Sequence, residues 1–316
     1  MSHTLADINK RKLFSVLNNG ITIVSPQLAL AAHNQEMSLS NYQIINGCQT
    51  SSTLHANYKS LSDDVNVVVK FIESTDDASA ADIISATNSQ SNVPQEAFFG
   101  LRTKAKLVRK YFDAQNSTVK NESLIYFERR QGEFRGIPMQ ATRVFDVREV
   151  ARCYAAMFLN QPHNAARYVN AIFNSGVENL FKDDDHEGYY YASCLTLYKY
   201  QTLINGRKIG APNYAKLRFH IIQLFKWFVL GKMDTPPANS AKATSYAKKV
   251  IDVLNSEDRI YIEYFVLCQK AIDKIGTPSD DSLKRGRFTA ELQTAAESII
   301  NSSTYKGVTK AKKTKK

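Results

Sequence analysis

The sequence predicts an α+β protein, in which a small mixed-sheet N-terminal half with flanking helices precedes an all-α C-terminal half. Up to about residue 145, short β-branched runs alternate with helical patterns, and from Val144 onward apolar residues recur almost only at helical spacing. We therefore expect an α+β domain over residues 1–143, a helical domain over 144–300 and a disordered basic tail over 301–316.

Three strands are predicted in the first half. Residues 21–24 form a β-branched run that follows the turn dipeptide Asn19-Gly20. Residues 38–45 supply a second strand, and the valine-rich run over 65–72 gives the strongest signal of all. Between the last two, a helix is expected to begin after Gly47 and to continue to about Tyr58.

Helices account for most of the remaining chain. Asp76 and Asp77 open one helix, because acidic residues in a first turn interact favourably with the helix dipole. Pro94 fits the first turn of a longer basic helix, and residues 124–127 form one more short strand. Beyond them, amphipathic stripes predict helices over 147–158, 166–173, 191–203, 217–229, 247–254 and 260–272.

The net charge of +11 is unevenly distributed along the 316 residues. Six lysines lie within 306–316, and removing them leaves a chain with a charge of only +5. A second cluster of basic residues lies within 102–110, a stretch that contains no acidic residue. It consists of Arg102, Lys104, Lys106, Arg109 and Lys110. Such clusters favour contact with nucleic acid by neutralising phosphates, although many basic tails serve only solubility.

No stretch of about 18 uninterrupted apolar residues predicts a membrane span, and the polar N-terminus does not resemble a signal peptide. The four cysteines lie far apart without a Cys-x-x-Cys pair, which argues against zinc and against a disulfide framework. We expect a cytoplasmic protein without membrane contact.

The most informative motif is the junction at Asn46-Gly47, where a strand turns directly into a helix. A glycine at this point allows a ligand to approach the backbone, and unpaired N–H groups of a first helical turn attract anions. Gln49 and Thr50 would add side-chain donors, so the motif predicts a phosphate-binding site. The alternative is an ordinary corner in which the Ser and Thr residues cap the helix.

Two further polar clusters are candidates for the same site. Asn88 and Gln90 belong to a segment rich in amides and hydroxyls, which serves either as a loop or as donors around a phosphate or a base. Arg129 and Arg130 carry guanidinium groups that match phosphates bidentately. The alternative for them is a salt-bridged hairpin with Glu128 and Glu133.

Signatures of the common nucleotide folds and hydrolases do not occur, and the six histidines show no metal-ligand spacing. A metal-dependent nuclease would place a carboxylate two residues before Lys70, where Val68 stands instead. Glu128, followed by Arg130, is a weak candidate for a metal ligand or general base. We therefore expect no cofactor and no metal site, with Mg²⁺ or Mn²⁺ required only if the nuclease hypothesis holds.

Four motifs occur in an order and at distances that resemble the abortive-phage-resistance (AIPR) family. They are Asn-Asn-Gly-Ile-Thr at 18–22, Ile-Asn-Gly-Cys-Gln-Thr at 45–50, Ala-Thr-Asn-Ser-Gln at 86–90 and Phe-Glu-Arg-Arg at 127–130. The resemblance implies a bacterial antiphage defence protein without a defined reaction. Compared with such proteins, this chain is expected to lack an N-terminal segment that usually precedes the first motif.

The leading hypothesis is a phage-defence protein that binds nucleic acid or a nucleotide-like polyanion. Asn46, Gly47, Gln49 and Thr50 would hold a phosphate, and Asn19 and Gly20 would shape the rim. A nuclease or nucleotide hydrolase that uses the same pocket is the first alternative. The second is a non-enzymatic scaffold that docks protein partners of a defence system, and the sequence does not fix an oligomeric state.

Overall fold

The structure is a computed structural model, and it describes residues 4–5, 7–30, 36–74, 99–119, 121–175, 179–210, 212–276, 278–279, 281–303 and 305. Its contacts divide the chain into two compact units, residues 1–94 and 95–316. The helix predicted from Asp76, the helix start at Pro94 and the lysines over 306–316 lie outside the described residues. The domain boundary expected at 143/144 stays a prediction.

The first unit contains a three-stranded mixed sheet and a separate hairpin. In its described residues the helices are α1 (Ile8–Arg11), α2 (Phe14–Leu17) and α3 (Cys48–Ala56), and the strands are β1 (Ile21–Ser25), β2 (Gln27–Leu30), β3 (Met37–Ser40), β4 (Gln43–Asn46) and β5 (Val69–Glu73). In the sheet, β1 lies between an antiparallel β4 and a parallel β5. The hairpin pairs β2 with β3.

The prediction of one strand over 38–45 is wrong, because the chain turns at Asn41. This residue has a φ of +53°, a left-handed conformation that ends β3 and separates it from β4. The strand predicted over 65–72 begins only at Val69. Strand β2 was not predicted, since Gln27–Leu30 has no β-branched residue to indicate it.

The second unit is predominantly helical. Its strands are β6 (Tyr126–Glu128) and β7 (Val144–Asp146), which pair in parallel. Its helices are α4 (Thr103–Asn116), α5 (Val147–Phe158), α6 (Pro162–Arg167), α7 (Val169–Ser175), α8 (Glu187–Asn205), α9 (Arg218–Leu230), α10 (Ala243–Leu254), α11 (Asp258–Ile275) and α12 (Gly286–Ile300). The predicted fold class, small mixed sheets followed by helices, is confirmed.

Helices α8 and α9 form the centre of this unit, and both are buried almost all round. A helix that is apolar on every face must be covered by other elements, and α5, α10, α11 and α12 pack around this pair. Helix α5 begins where Asp146 caps it, with its Oδ1 accepting from the Glu149 N–H at 2.7 Å. None of the described helices is long and apolar enough to cross a membrane.

The single helix predicted over 166–173 is wrong, because two short helices meet at Tyr168. Pro162 starts α6 at a position that tolerates proline, and Tyr168 ends this helix with a non-helical conformation. Strand β7, which was not predicted, is only three residues long and runs directly into α5, whose predicted range of 147–158 is confirmed.

Three polar side chains of α9, those of His220, Gln223 and Lys226, are completely buried. The Nζ atom of Lys226 lies 3.3 Å from the Oδ1 atom of Asn160, which also accepts from Gln223 at 3.1 Å. Burial lowers the pKa of Lys226 to about 7, opposed weakly by Asp234. The ammonium form therefore destabilises the folded state at and below neutral pH.

Replacing Lys226 with Met is expected to raise the free energy of unfolding by about 2 kcal/mol at pH 6, because an apolar chain needs no desolvation. The pKa of this lysine is lower in the folded chain than in the unfolded chain. Above about pH 7 the unfolded chain therefore binds more protons than the folded chain. The free energy of unfolding of the wild type consequently increases as the pH rises through this range. The difference between variant and wild type should shrink from pH 7 to pH 9. Denaturant unfolding measures it, with the exposed Lys249→Met as the control.

Candidate functional site

Two Asn-Gly turns that are far apart in the sequence meet at one end of the β4–β1–β5 sheet. Gly20 and Gly47 both have positive φ values, +71° and +88°. A Cβ atom on Gly47 would lie 2.5 Å from the carbonyl oxygen of Gly20 and 2.8 Å from the Cα atom of Ile21. The two main chains are thus in contact, and only glycine fits at Gly47.

The same end of the sheet is held by β5. A Cβ atom on Gly20 would lie 2.5 Å from the carbonyl oxygen of Val68, which accepts the N–H of Ile21 at 2.9 Å. We call the main-chain segments at Gly20, Gly47 and Val68 the glycine junction. The sequence did not predict Val68 as part of this site, because a carbonyl group that contacts a distant glycine leaves no pattern in side-chain types.

Helix α3 starts at the glycine junction without a side-chain cap. Gly47 occupies the N-cap position and, as a glycine, has no side chain to cap the first turn. The hydroxyls of Ser51 and Thr53 instead donate to the carbonyl groups of Gly47 and Gln49, at 3.1 and 2.8 Å. These two hydroxyls thus bind carbonyl groups of the same helix, and the first turn holds no acidic residue.

The side chains predicted for this site differ in exposure. Asn19 and Gln49 are exposed, and Asn46 is half-buried. Thr50 is only 4% exposed, so its side chain supports the fold and cannot meet a ligand without a rearrangement. The first unit therefore brings Asn19, Gly20, Asn46, Gly47 and Gln49 to one end of its sheet, with Thr50 beneath its surface.

In the second unit, the basic residues of the 102–110 stretch separate into two groups. Lys104 is 4% exposed, and its Nζ donates to the Asp185 carbonyl oxygen at 2.8 Å and to the Glu187 carboxylate at 2.7 Å. Burial alone would raise the pKa of Glu187, but the hydrogen bond from Lys104, a main-chain hydrogen bond and the charges of Lys104 and His186 together give a net lowering of this pKa. Lys104 is thus an internal ion-pair partner and is not available to a phosphate.

The two arginines of this stretch are also bound within the second unit. Arg102 donates to the Leu180 carbonyl oxygen at 2.8 Å. Arg109 donates to the Phe127 carbonyl oxygen at 2.7 Å and pairs with Asp113 and Glu133. The exposed cations of α4 are therefore those of Lys106 and Lys110.

The hairpin predicted around Glu128 is a tight turn, and most of its charged side chains form hydrogen bonds within the second unit. The Glu128 carboxylate accepts the Gly132 N–H at 3.0 Å, and Glu133 accepts the Arg129 N–H at 3.1 Å. The Arg129 guanidinium donates to the Gly100 carbonyl oxygen at 2.9 Å, whereas the Arg130 side chain is exposed. Of the two arginines, Arg130 is thus the one whose side chain is presented to solvent.

Glu128 has one carboxylate neighbour that the sequence did not reveal. Asp146 lies opposite it in the parallel register of β6 and β7, while its Oδ1 caps α5. In the part of the chain that the structure describes, no three His, Cys, Asp or Glu side chains group as metal ligands would. Asn88 and Gln90 lie outside the described residues.

A cavity of about 340 Å³ lies in the second unit, lined among others by Glu122, Gln140, Arg143, Tyr198, Gln201 and Asn205. The Arg143 guanidinium already donates to the main-chain carbonyl groups of Asn121 and Leu124 and to the Gln140 side chain. The cavity contains none of the residues that the sequence predicted for a site.

The fold and the site define the class of this protein. It is an α+β protein in which two glycine turns are in contact at one end of a small sheet, and a helix begins there without a side-chain cap. A family model described as AIPR protein matches residues 1–283, most of the chain, and the protein belongs to the AIPR family. This membership indicates a role in abortive infection, a defence against phage. No curated protein and no solved structure matches the chain.

Replacing Gly47 with Ala is expected to destabilise the first unit by about 2 kcal/mol or more, because a Cβ atom meets main-chain atoms at a positive φ. Hydrogen–deuterium exchange measures this destabilisation, because the amide groups of β1 and β4 should exchange faster in the variant. Gly231→Ala is the matched control, since Gly231 has a similar left-handed conformation (φ +70°, ψ +22°, against +88° and +15° at Gly47), and the added carbon would meet only the Cε1 atom of Tyr305, at 4.0 Å. Equal effects of the two changes would show that the contact at Gly20 is unimportant.

Replacing Lys104 with Ala is expected to lower the free energy of unfolding by about 3 kcal/mol, because it leaves the partly buried Glu187 carboxylate without its partner. Lys106→Ala on the exposed face of the same helix should change stability by about 0.5 kcal/mol or less. Thermal and denaturant unfolding of both variants measure the contrast. A Lys104 variant as stable as the Lys106 variant contradicts a structural role for the ion pair.

Proposed function

We propose that this AIPR protein acts in phage defence by binding nucleic acid, or a nucleotide-like polyanion, at the glycine junction of its first unit. The observation that carries the proposal is the contact between the two Asn-Gly turns at the start of an uncapped helix. The first N–H groups of a helix have no intrahelical partners, and the first turn of this helix holds no acidic residue that would repel an anion. The protein would act in the cytoplasm, where phage nucleic acid is present.

Each residue has a distinct role in this proposal. The first-turn N–H groups after Gly47 would bind a phosphate oxygen, and the exposed Gln49 amide would add a side-chain donor. Asn19, Gly20 and Asn46 would form the rim. Thr50 would hold the helix start in place from beneath, without touching the ligand.

Exposed cations of the second unit would bind phosphates by themselves. Lys106, Lys110 and Arg130 have exposed side chains, whereas Arg102, Lys104, Arg109 and Arg129 bind groups of their own chain. Contributions of Asn88, Gln90 and the lysines over 306–316 stay predictions. Binding through several phosphates should weaken steeply as the salt concentration rises.

Replacing Gln49 with Ala is expected to weaken the retention of labelled DNA or RNA several-fold while leaving the melting temperature nearly unchanged, because the side chain is exposed. Native gels at two salt concentrations measure binding. Thr50→Ala is the control, since the loss of a buried side chain should lower the melting temperature. Unchanged retention by the Gln49 variant over the whole salt range contradicts the proposed phosphate site.

A metal-dependent nuclease is the second candidate, because Glu128 and Asp146 lie opposite each other on adjacent strands. Both carboxylates already accept main-chain N–H groups, which makes them weaker metal ligands. Incubation of the protein with labelled DNA and RNA, with and without Mg²⁺ or Mn²⁺, separates the two functions on denaturing gels. Metal-dependent cleavage that disappears in Glu128→Ala favours the nuclease, and neither binding nor cleavage favours a scaffold for partner proteins.

A further inference from the structure

An exposed aromatic group lies at the other end of helix α3, in the 3₁₀ turn Tyr58–Ser60. The Tyr58 ring is 61% exposed, and the His55 ring lies nearly parallel to it, with 6.2 Å between centroids and 18° between planes. The Nζ atom of Lys59 lies 5.8 Å from the centre of the Tyr58 ring. We call these three side chains the Tyr58 cluster.

A single exposed tyrosine is common on protein surfaces and carries no functional meaning by itself. The Tyr58 cluster differs because a second ring and an ammonium group accompany the tyrosine, and because no acidic residue occurs between Met37 and Ser62. Aromatic rings beside cations are the groups on which unpaired bases stack in proteins that bind single strands. Lys59 therefore supplies a positive charge for a phosphate, and the two rings supply faces on which a base can stack.

An exposed polar stripe leads from the glycine junction to the Tyr58 cluster. Gln49, Ser52 and His55 are all exposed, and their spacing of three residues places them along one side of α3. The helix has nine residues, so its two ends are on the order of 13 Å apart. A ligand that reaches from a phosphate at one end to a base at the other must contain more than one nucleotide.

We infer that the first unit binds single-stranded nucleic acid, with a phosphate near Gly47 and an unpaired base stacked on Tyr58. The inference rests on the proposed function and adds the class of ligand. In a duplex each base is already stacked and paired, so its face is not available to the Tyr58 ring. Single strands are therefore bound more tightly than the matching duplex.

The test uses the full chain and fluorescence anisotropy with a labelled single strand and the matching duplex, each as DNA and as RNA. Tyr58→Ala is expected to weaken single-strand binding about ten-fold, with duplex binding unchanged, because one base loses its stacking surface. Tyr58→Phe keeps the ring and should bind as the wild type does. In a single strand that contains 2-aminopurine, the wild type should quench the fluorescence and Tyr58→Ala should not.

Tyr168→Ala is the matched control, since Tyr168 is a similarly exposed tyrosine in the second unit, at 49%. If the wild type binds and Gln49→Ala weakens the complex, but Tyr58→Ala binds single strands normally, the inference is overturned and the proposed function stands. An equal loss of single-strand and duplex binding in Tyr58→Ala also overturns the inference. If the wild type retains no nucleic acid at all, the proposed function itself fails.

Discussion

The close approach of Gly47 to Gly20 and Ile21 is the constraint on which the first unit depends. A side chain at Gly47 would overlap main-chain atoms of the neighbouring turn, so the two turns can meet only because Gly47 lacks a Cβ atom. This contact fixes where β4 ends and where α3 begins. It also leaves the start of α3 without a side-chain cap, which is the chemical basis of the proposed anion site.

Burial divides the charges of the second unit into structural and exposed groups. Lys104 joins α4 to the start of α8 through a nearly buried ion pair, and Arg109 joins α4 to β6 through a main-chain carbonyl group. Such contacts hold the small β6–β7 ladder against the helical core. The remaining cations are fewer than the sequence suggested, so the candidate nucleic-acid surface of α4 reduces to Lys106 and Lys110.

The central helices of the second unit tolerate buried titratable side chains because so much apolar surface surrounds them. Burial lowers the pKa of His220 to about 3 and that of Lys226 to about 7, so the charged form of each side chain is disfavoured in the folded chain. Buried polar groups of this kind weaken a core unless they are fully paired. The extensive packing of α8 and α9 compensates for them.

The sequence by itself determined the fold class, the long helices and the two Asn-Gly turns, because periodicity and turn residues act locally. Helix α9 was predicted within a residue at each end, whereas the break at Asn41 and the three-residue strand β7 carry signals too short to recognise. Only the tertiary structure decided that Gly20 and Gly47 touch, that Lys104 and Thr50 are buried, and that Glu128 faces Asp146. The physical reason is that burial and pairing depend on segments distant in the chain, which a local pattern of residues does not encode.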